Sequence, residues 1–320
     1  MVEYFWIFRP LLFILGFVLL IGGGNLLVNG AVALARRLKL SPLLIGLTIV
    51  GFGTSVPELI ASLFALNQSV PDLAVGNVIG SNIANILLVL GAAACIRTIK
   101  ISKLSLRRDG KFLLLATFVL LCAVFFGRIN FWVGLIMCLC LAYYVYYAYQ
   151  TDKKHVQSEQ LQEPAHPRRR ERKKMAWVDF VNLALGIGLT CFGANILVDN
   201  AVLLAQHAGI STEIIGLTLI AIGTSLPELA TSVVASVKKQ SDIAFGNIVG
   251  SNIYNALFIL GFLALFKPIH VQSSLRPDVL WMTAVTLLLL FFAYTRHKLS
   301  KATGALFLVI YAIYIYYLGA

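Results

Sequence analysis

The sequence predicts an all-α polytopic membrane protein with ten transmembrane helices arranged as two inverted five-helix repeats. Three observations support this prediction. Of the 320 residues, 59% are hydrophobic and only 12% are charged, against about 25% charged in an ordinary soluble domain. Two long stretches recur 170 positions apart in the chain. Lys and Arg are concentrated in alternate loops between apolar runs, which is typical of spans oriented by positive charge.

The apolar runs reach roughly 20 residues, the length that crosses a bilayer core of about 30 Å as helix. We predict helices over residues 10–35, 42–66, 71–96, 111–127, 130–150, 176–206, 213–237, 242–266, 279–296 and 303–319. A polar, basic linker over 151–174 separates a first repeat, 1–150, from a second, 175–320. We expect the linker to be a partly disordered, solvated connector, with regulation through anionic lipid as the alternative.

The ten spans place 22 of the 26 Lys and Arg residues on one face of the membrane and 4 on the other. A single wrong span would scramble this division, so the charges support both the number of spans and their orientation. By the positive-inside rule the basic face is cytoplasmic and both termini are periplasmic. We assign the net charge of +12 to orientation and expect no nucleic-acid partner. We expect a bacterial inner-membrane protein that keeps its first span and functions as a monomer.

The repeated stretches define two pairs of motifs. Gly51-Phe-Gly-Thr-Ser-Val-Pro-Glu58 returns as Ala221-Ile-Gly-Thr-Ser-Leu-Pro-Glu228, and residues 72–91 match 242–261 at 12 of 20 positions. Because each repeat contains an odd number of spans, the second repeat enters the membrane from the opposite side. Inverted repeats with interrupted helices are typical of transporters, whose binding site lies near the midplane between the repeats.

The first pair of motifs contains the chemistry of a cation site. An ionised side chain at the bilayer centre costs at least about 2.5–3.5 kcal/mol, so we expect cations to compensate Glu58 and Glu228; the alternative is a protonated carboxyl hydrogen-bonded inside the bundle. Pro57 and Pro227 each free a backbone carbonyl about one turn earlier. Carbonyl, hydroxyl and carboxylate oxygens favour hard cations such as calcium. Neither motif contains His or Cys, which disfavours zinc and copper.

The second pair of motifs adds neutral oxygens at helical spacing. We favour ion contact for the residues that lie pairwise four apart on one helix face: Ser81, Asn85, Ser251 and Asn255. We favour interhelical hydrogen bonding for the other asparagines of these stretches: Asn77, Asn82, Asn247 and Asn252.

Other polar residues of the spans receive structural interpretations. Asp199 is expected at the membrane interface, with cation attraction as the alternative. Asp72 and Asp242 begin their helices, where N-terminal capping explains them. The five cysteines have no metal-ligand spacing, and their odd number excludes a complete disulfide framework, so we expect them to serve in packing.

The paired motifs Gly53–Glu58 with Gly76–Asn82, and Gly223–Glu228 with Gly246–Asn252, resemble the two α-repeats of the cation/calcium exchanger superfamily, in its bacterial calcium/sodium antiporter branch. The resemblance covers essentially all the spans. It implies a calcium site made by the carboxylates of Glu58 and Glu228 with the carbonyls of Thr54 and Thr224. It implies sodium and site-lining roles for a further set: Gly51, Ser55, Ser81, Asn85, Ala221, Ser225, Ser251 and Asn255. One departure stands out, since relatives often have Asp at the position of Asn255, which leaves two central carboxylates here.

These features predict a secondary active antiporter that exchanges calcium for sodium by alternating access, with no cofactor and no enzymatic activity. One calcium ion, or two sodium ions, would balance the two glutamates, and the resemblance suggests the first and sixth helices as sliding gates. Calcium/proton exchange is the nearest alternative, because two protons would neutralise the same pair. A passive cation channel is an alternative of another class. An intramembrane protease with two carboxylates is disfavoured by the repeat symmetry and by the lack of a Gly-x-Gly-Asp context.

Overall fold

The computed structural model describes residues 9–68, 70–162, 176–207 and 221–319. Within these ranges, nine helices are long and apolar enough to cross a membrane, and a tenth apolar helix, Leu226–Val237, is shorter. These are the ten predicted helices in the predicted order, named α1 to α10 below. Residues 163–174 of the predicted linker and 213–220 of the predicted seventh helix lie outside the described residues.

Six helices are continuous, and four consist of several pieces. The continuous helices are α1 (Arg9–Leu38), α4 (Lys103–Phe126), α5 (Phe131–Gln162), α6 (Ala176–His207), α9 (Arg276–Arg296) and α10 (Lys301–Gly319). The composite helices are α2 (Pro42–Ile45, Gly46–Val50, Gly51–Thr54, Val56–Asn67), α3 (Pro71–Ala84, Asn85–Leu90, Gly91–Ile96), the described part of α7 (Ala221–Thr224, Leu226–Val237) and α8 (Ser241–Ile253, Tyr254–Ile259, Leu260–Phe266). The π-helical pieces are Gly46–Val50, Asn85–Leu90 and Tyr254–Ile259.

Two helix boundaries differ from the prediction by more than three residues. α4 begins at Lys103 instead of 111, because the Ser102 side chain accepts the Ser105 backbone N–H at 3.0 Å and caps the helix. α5 continues to Gln162 instead of ending at 150, so the predicted end of this helix is wrong and residues 151–162 of the predicted linker are helical. No Gly or Pro interrupts residues 151–162, and the buried Asp152 carboxylate accepts the backbone N–H and hydroxyl of Ser41 at the start of α2. This contact holds the extension of α5 against the bundle.

Two short antiparallel strand pairs join the repeats to each other. β1 (Ile99–Lys100) pairs with β4 (Lys298–Leu299), and β2 (Arg128–Ile129) pairs with β3 (Ile269–His270). The 170-residue repeat relates β1 to β3 and β2 to β4. The two pairs are therefore the same interaction made twice, once for each repeat.

Glycines let α2 and α8 approach at backbone distance. A Cβ on Gly250 would lie 2.2 Å from the Leu47 carbonyl oxygen, and one on Gly246 would lie 2.7 Å from the Leu43 carbonyl oxygen. Real Cβ contacts are longer than this, so a larger residue at either position would push the helices apart. The approach brings the motif-bearing helix of the first repeat against the companion helix of the second.

α1 and α6 meet along a second glycine seam, called here the α1–α6 seam. Gly16, Gly23 and Gly30 of α1 face Leu197, Thr190 and Leu183 of α6, while Gly193 and Gly186 of α6 face Leu20 and Leu27 of α1. The contact positions thus advance by seven residues along α1 while they go back by seven residues along α6. This is the pattern of close antiparallel packing, in which small residues let backbones approach inside a membrane.

A buried ion pair lies between α4 and α5. Arg108 Nε donates to Asp109 Oδ1 at 2.7 Å, and the two side chains are 2% and 0% exposed. Asp109 also accepts from the Ser105 and Tyr144 hydroxyls at 3.0 and 3.2 Å, and Arg108 Nη1 donates to the Ala148 carbonyl at 3.1 Å. The pair is therefore compensated by several neighbouring polar groups, as a buried pair requires.

Polar contacts also tie α1 to α6 and to the end of α7, the first of them at the membrane face that holds most Lys and Arg, called the basic face. Arg37 donates to Asp179 at the start of α6 through Nε and Nη2, at 3.0 and 2.8 Å. Lys238, which follows α7, donates to the Asn29 Oδ1 at 2.7 Å and to the Asn25 carbonyl at 3.2 Å. Partial desolvation lowers the pKa of Lys238.

Candidate ion-binding site

Both glutamate-bearing helices break immediately before the glutamate. Ser55 has φ −82° and ψ 5°, and Ser225 has φ −88° and ψ 3°, so neither serine continues the helix. The following helical segments contain Pro57 and Pro227 in their first turn, where a proline is tolerated because its missing N–H would be unpaired anyway. Each glutamate therefore stands in the first turn of a helix, where the macrodipole stabilises negative charge.

The glutamates are fully buried and poorly satisfied by protein groups. Glu58 and Glu228 are each 0% exposed. Among the described residues, neither carboxylate oxygen of Glu58 has a hydrogen-bond partner, and nor does Oε2 of Glu228. Each glutamate also lies close enough to the other for electrostatic repulsion. Because unpaired buried charge is costly, these oxygens mark a position that favours positive charge.

Hydroxyl groups of both repeats surround Glu228. Its Oε1 accepts from the hydroxyls of Ser251 and Ser55, at 3.3 and 3.4 Å. Ser251 Oγ also lies 3.1 Å from the Gly51 carbonyl oxygen. The Ser225 hydroxyl, the repeat equivalent of Ser55, has no partner among the described residues. The two halves of the site thus have the same residues but different hydrogen bonds.

Contacts between the repeats also bring the predicted threonines into the site. Thr54 Oγ1 lies 3.0 Å from Asn247 Oδ1 and 3.5 Å from Ser251 Oγ. Thr224 Oγ1 lies 3.5 Å from Ser81 Oγ. Each motif therefore faces the companion stretch of the opposite repeat, α2 against α8 and α7 against α3.

Four asparagines at the centre form a reciprocal network across the pseudo-twofold axis. Asn82 and Asn252 each donate to the other's backbone carbonyl at 3.2 Å. Asn85 donates to Asn252 Oδ1 at 3.0 Å, and Asn255 donates to Asn82 Oδ1 at 3.2 Å. These bonds leave Oδ1 of Asn85 and Asn255 buried without a partner among the described residues. The network thus orients two neutral oxygens that are available to an ion.

The other asparagine pair holds the backbone of the glutamates. Asn77 donates to the Glu58 carbonyl at 3.3 Å and to the Ser62 hydroxyl at 3.1 Å, and Asn247 donates to the Glu228 carbonyl at 3.5 Å and to Ser232 at 3.1 Å. This arrangement agrees with the interhelical hydrogen bonding predicted for Asn77, Asn82, Asn247 and Asn252.

The glycines of the motifs allow neighbouring helices to pack closely against the backbone. A Cβ on Gly51 would lie 3.0 Å from the Ser251 backbone nitrogen. At Gly53 and Gly223 the neighbour is a side chain of α6, since the added Cβ would meet Ile187 at 2.5 Å and Val198 at 2.4 Å. α6 therefore covers the motifs of both repeats.

Some residues were missed or misread from the sequence. Ser62 and Ser232 were not singled out, although their 170-residue separation was a usable signal. Cys191 of α6 is a free, half-buried cysteine, which is compatible with the packing role predicted for it. Capping was wrong for Asp72, because Val70 is the N-cap residue of α3 and the Asp72 Oδ1 accepts the Gln272 backbone N–H at 2.8 Å.

Asp242 and Asp199 complete the comparison with the sequence analysis. Asp242 likewise lies inside the first turn of α8, with Gln240 as the N-cap residue, so capping was wrong for this residue as well. Asp199 is exposed on α6. Neither residue has a described hydrogen bond to the glutamates.

Comparisons with known proteins identify the family to which these elements belong. The family described as sodium/calcium exchanger protein matches residues 8–150 and 178–320. The chain is 39% identical over 264 residues to the inner membrane protein YrbG of Escherichia coli, covering 80% of this chain and 79% of YrbG. It is 31% identical over 339 residues to the sodium/calcium exchanger MaX1 of Methanosarcina acetivorans, covering 95% of this chain and 97% of MaX1.

A solved structure extends the similarity to three dimensions. The sodium-calcium exchanger NCX_Mj, soaked with zero Na⁺ and Ca²⁺, superposes with a TM-score of 0.82 at 30% identity, covering 98% of this chain and 99% of that chain. This match confirms the ten-helix inverted-repeat fold. Sodium and calcium are transported substrates of such exchangers, which are antiporters without a cofactor. The chain therefore belongs to the sodium/calcium exchanger protein family, whose members are transporters and not enzymes.

Proposed function

We propose that this protein exchanges calcium for sodium across a bacterial inner membrane by alternating access. The observation that supports the proposal most directly is the pair of fully buried glutamates, Glu58 and Glu228, with three carboxylate oxygens unpartnered among the described residues. Their neighbours are hydroxyl and amide oxygens, the ligand type that calcium and sodium prefer.

Charge balance explains why exchange would be coupled. Two ionised glutamates in a low-dielectric interior repel each other and are costly to enclose. One calcium ion or two sodium ions would cancel their charge, whereas the site without cations would not close easily. The return step would then require a cation, which makes net transport an exchange.

We assign the ion ligands as follows. Calcium would be held between the carboxylates of Glu58 and Glu228, with the carbonyls of Thr54 and Thr224 completing the site. The sodium and site-lining positions are Gly51, Ser55, Ser81, Asn85, Ala221, Ser225, Ser251 and Asn255. The contacts of Ser55 and Ser251 with Glu228, and the buried unpartnered oxygens of Asn85 and Asn255, support this division.

The inverted repeat supplies the two states. The two repeats cross the membrane in opposite senses. If a conformation of one repeat opens the site to the cytoplasm, the equivalent conformation of the other repeat opens it to the periplasm. By the positive-inside rule, the basic face is cytoplasmic and both termini are periplasmic. Each chain carries a complete site, so we expect the monomer to be functional.

Ion-swap flux in proteoliposomes tests the proposal. Calcium uptake should require an outward sodium gradient and should persist with a protonophore, since sodium supplies the driving force. Loss of uptake with the protonophore would favour calcium/proton exchange. Calcium efflux that needs no exchangeable ion on the opposite side would favour a channel.

Two matched substitutions test the site itself. Glu58→Gln and Glu228→Gln should each reduce exchange to background, because one remaining carboxylate cannot balance a divalent ion. Asp199→Asn is the control, since it removes an exposed carboxylate of α6 and should leave the rate unchanged. Exchange at the wild-type rate in either glutamate variant would contradict the site assignment.

A further inference from the structure

A groove opens on the side of the helix bundle between α2 and α5. It has a volume of about 680 Å³, within the range of small-molecule sites, about 300–1,000 Å³. One wall is formed by α2 residues between Leu44 and Ile49, and the other by α5 residues between Cys138 and Tyr149. Phe258 of α8 forms part of the lining as well. The groove is separate from the buried glutamates.

The groove has the depth of one leaflet. From Cys138 to Tyr149 the α5 wall rises about 16 Å at about 1.5 Å per residue, which is about half of a 30 Å hydrocarbon core. The end at Tyr149 lies towards the basic face, where α1 ends at Leu38 and α2 begins at Pro42. The groove therefore extends from the basic face towards the midplane of the membrane.

The lining suits an acyl chain. Thr48 is the polar residue of the α2 wall, and its hydroxyl donates a hydrogen bond to the Leu44 carbonyl at 2.7 Å. Tyr146 and Tyr149 line the part nearest the basic face, the depth at which tyrosine is enriched in membrane proteins. The wall thus changes from apolar to amphipathic in the same direction as a phospholipid.

Positive charge stands at the rim. The Lys153 ammonium lies 6.0 Å from the centre of the Tyr149 ring, and Tyr149 lines the groove. Lys39 is exposed and lies between Leu38 and Leu40, both of which line the groove. Lys39 has φ 55°, so the chain turns sharply here between α1 and α2.

The carboxylate next to Lys153 in the chain, that of Asp152, is buried and does not reach the rim. Asp152 is 3% exposed, and both of its oxygens accept hydrogen bonds from Ser41. The same contact ties the start of α2 to α5, which keeps the two walls together at the rim. A headgroup at this position would meet two lysines and no exposed acid from this part of α5.

We propose that the groove between α2 and α5 binds an anionic phospholipid of the leaflet at the basic face, with an acyl chain along the groove and the phosphate between Lys39 and Lys153. Charge decides the class of lipid, because the apolar walls would accept an acyl chain of any phospholipid. The occupant would contact Ile45, Thr48 and Ile49, which lie on α2 shortly before the ion-binding motif.

Native mass spectrometry of the delipidated full chain tests the proposal. The protein is given equal amounts of phosphatidylglycerol and phosphatidylcholine with the same acyl chains. We expect one phosphatidylglycerol to be retained in preference to phosphatidylcholine. The double variant Lys39→Gln/Lys153→Gln should weaken that retention about thirtyfold, since each basic group near an anionic surface contributes about a factor of five. Lys298→Gln/Lys301→Gln, exposed lysines of the same face that do not line the groove, should retain the lipid.

A second variant tests the groove independently of charge. Ala142 lines the groove and is exposed, so Ala142→Trp should fill it and displace the retained lipid. Leu139→Trp is the matched control, since Leu139 is 60% exposed on the same helix and does not line the groove. Equal retention of the two lipids by the wild type, or wild-type retention of phosphatidylglycerol by either Ala142→Trp or Lys39→Gln/Lys153→Gln, would overturn the proposal.

Discussion

The α1–α6 seam predicts that Gly186→Ala destabilises the protein while Gly188→Ala, two residues away, does not. A Cβ on Gly186 would lie 2.3 Å from the Leu27 nitrogen and 2.6 Å from its Cα, whereas a Cβ on Gly188 has nothing within 4 Å among the described residues. Ordinary van der Waals contact begins at 3.4 Å, so α1 and α6 must separate by about 1 Å, a gap that forfeits a quarter to a half of each dispersion contact.

The expected difference in stability between the two variants has two contributions. Overpacking costs about 1–3 kcal/mol, and the weakened seam adds to it. Each variant gains about 1 kcal/mol from the better helix propensity of alanine, so this gain cancels in their comparison. Gly186→Ala should therefore be less stable than Gly188→Ala by about 3 kcal/mol, or about 4–5 °C in Tm, since 320 residues at about 2.1 cal/mol/K each give an unfolding entropy of about 0.7 kcal/mol/K.

Thermal unfolding in detergent, followed by tryptophan fluorescence at one heating rate, measures the difference. Because the clash involves backbone atoms of Leu27, trimming that side chain with Leu27→Ala should not rescue Gly186→Ala. Equal Tm values for the two glycine variants, or rescue by Leu27→Ala, would refute the backbone-contact interpretation of the seam.

Three further predictions concern single polar groups. Asn85→Ala removes the hydrogen bond to Asn252 Oδ1 and leaves that buried oxygen without a donor, which costs about 1–3 kcal/mol, or about 2–5 °C in Tm. It also removes an oxygen assigned to the ions, so sodium-driven calcium uptake should fall at least about tenfold. Unchanged uptake would refute the assignment. Asp109→Asn strands the buried charge of Arg108 and should cost about 3–5 kcal/mol in thermal unfolding, most of which the double variant Arg108→Met/Asp109→Leu should recover. Lys238→Met removes the bond to Asn29 and should increase hydrogen–deuterium exchange in the middle of α1; unchanged exchange there would show that this contact does not hold α1.

The sequence predicted the number, order and approximate bounds of the helices because bilayer thickness imposes a length on each apolar run. It also predicted the breaks in α2 and α7, since Pro57 and Pro227 cannot continue a helical hydrogen-bond ladder, but not the π-helical pieces of α3 and α8. The predicted end of α5 was wrong because its polar extension is held by a contact, Asp152 with Ser41, that joins residues 111 positions apart. Such a contact between distant parts of the chain cannot be predicted from local composition.

Within the candidate site, the motifs identified the residues but not their partners. The 170-residue repeat suggested that the copies face each other, and the structure places each motif against the companion stretch of the other repeat, as Ser251 against Gly51.

By itself, the sequence determined the spans, the inverted repeat and the two glutamates, all of which follow from length, duplication and the cost of charge in hydrocarbon. Only the tertiary structure decided which faces of the helices meet. On α4, for example, Leu120 is 0% exposed and Phe118 is 58% exposed, although both are apolar. The reason is that lipid is as apolar as leucine, so hydrophobicity selects a membrane helix without selecting its inward face. Shape and hydrogen bonding select that face: glycine seams set the approach of the helices, and the asparagine network sets the geometry around the glutamates.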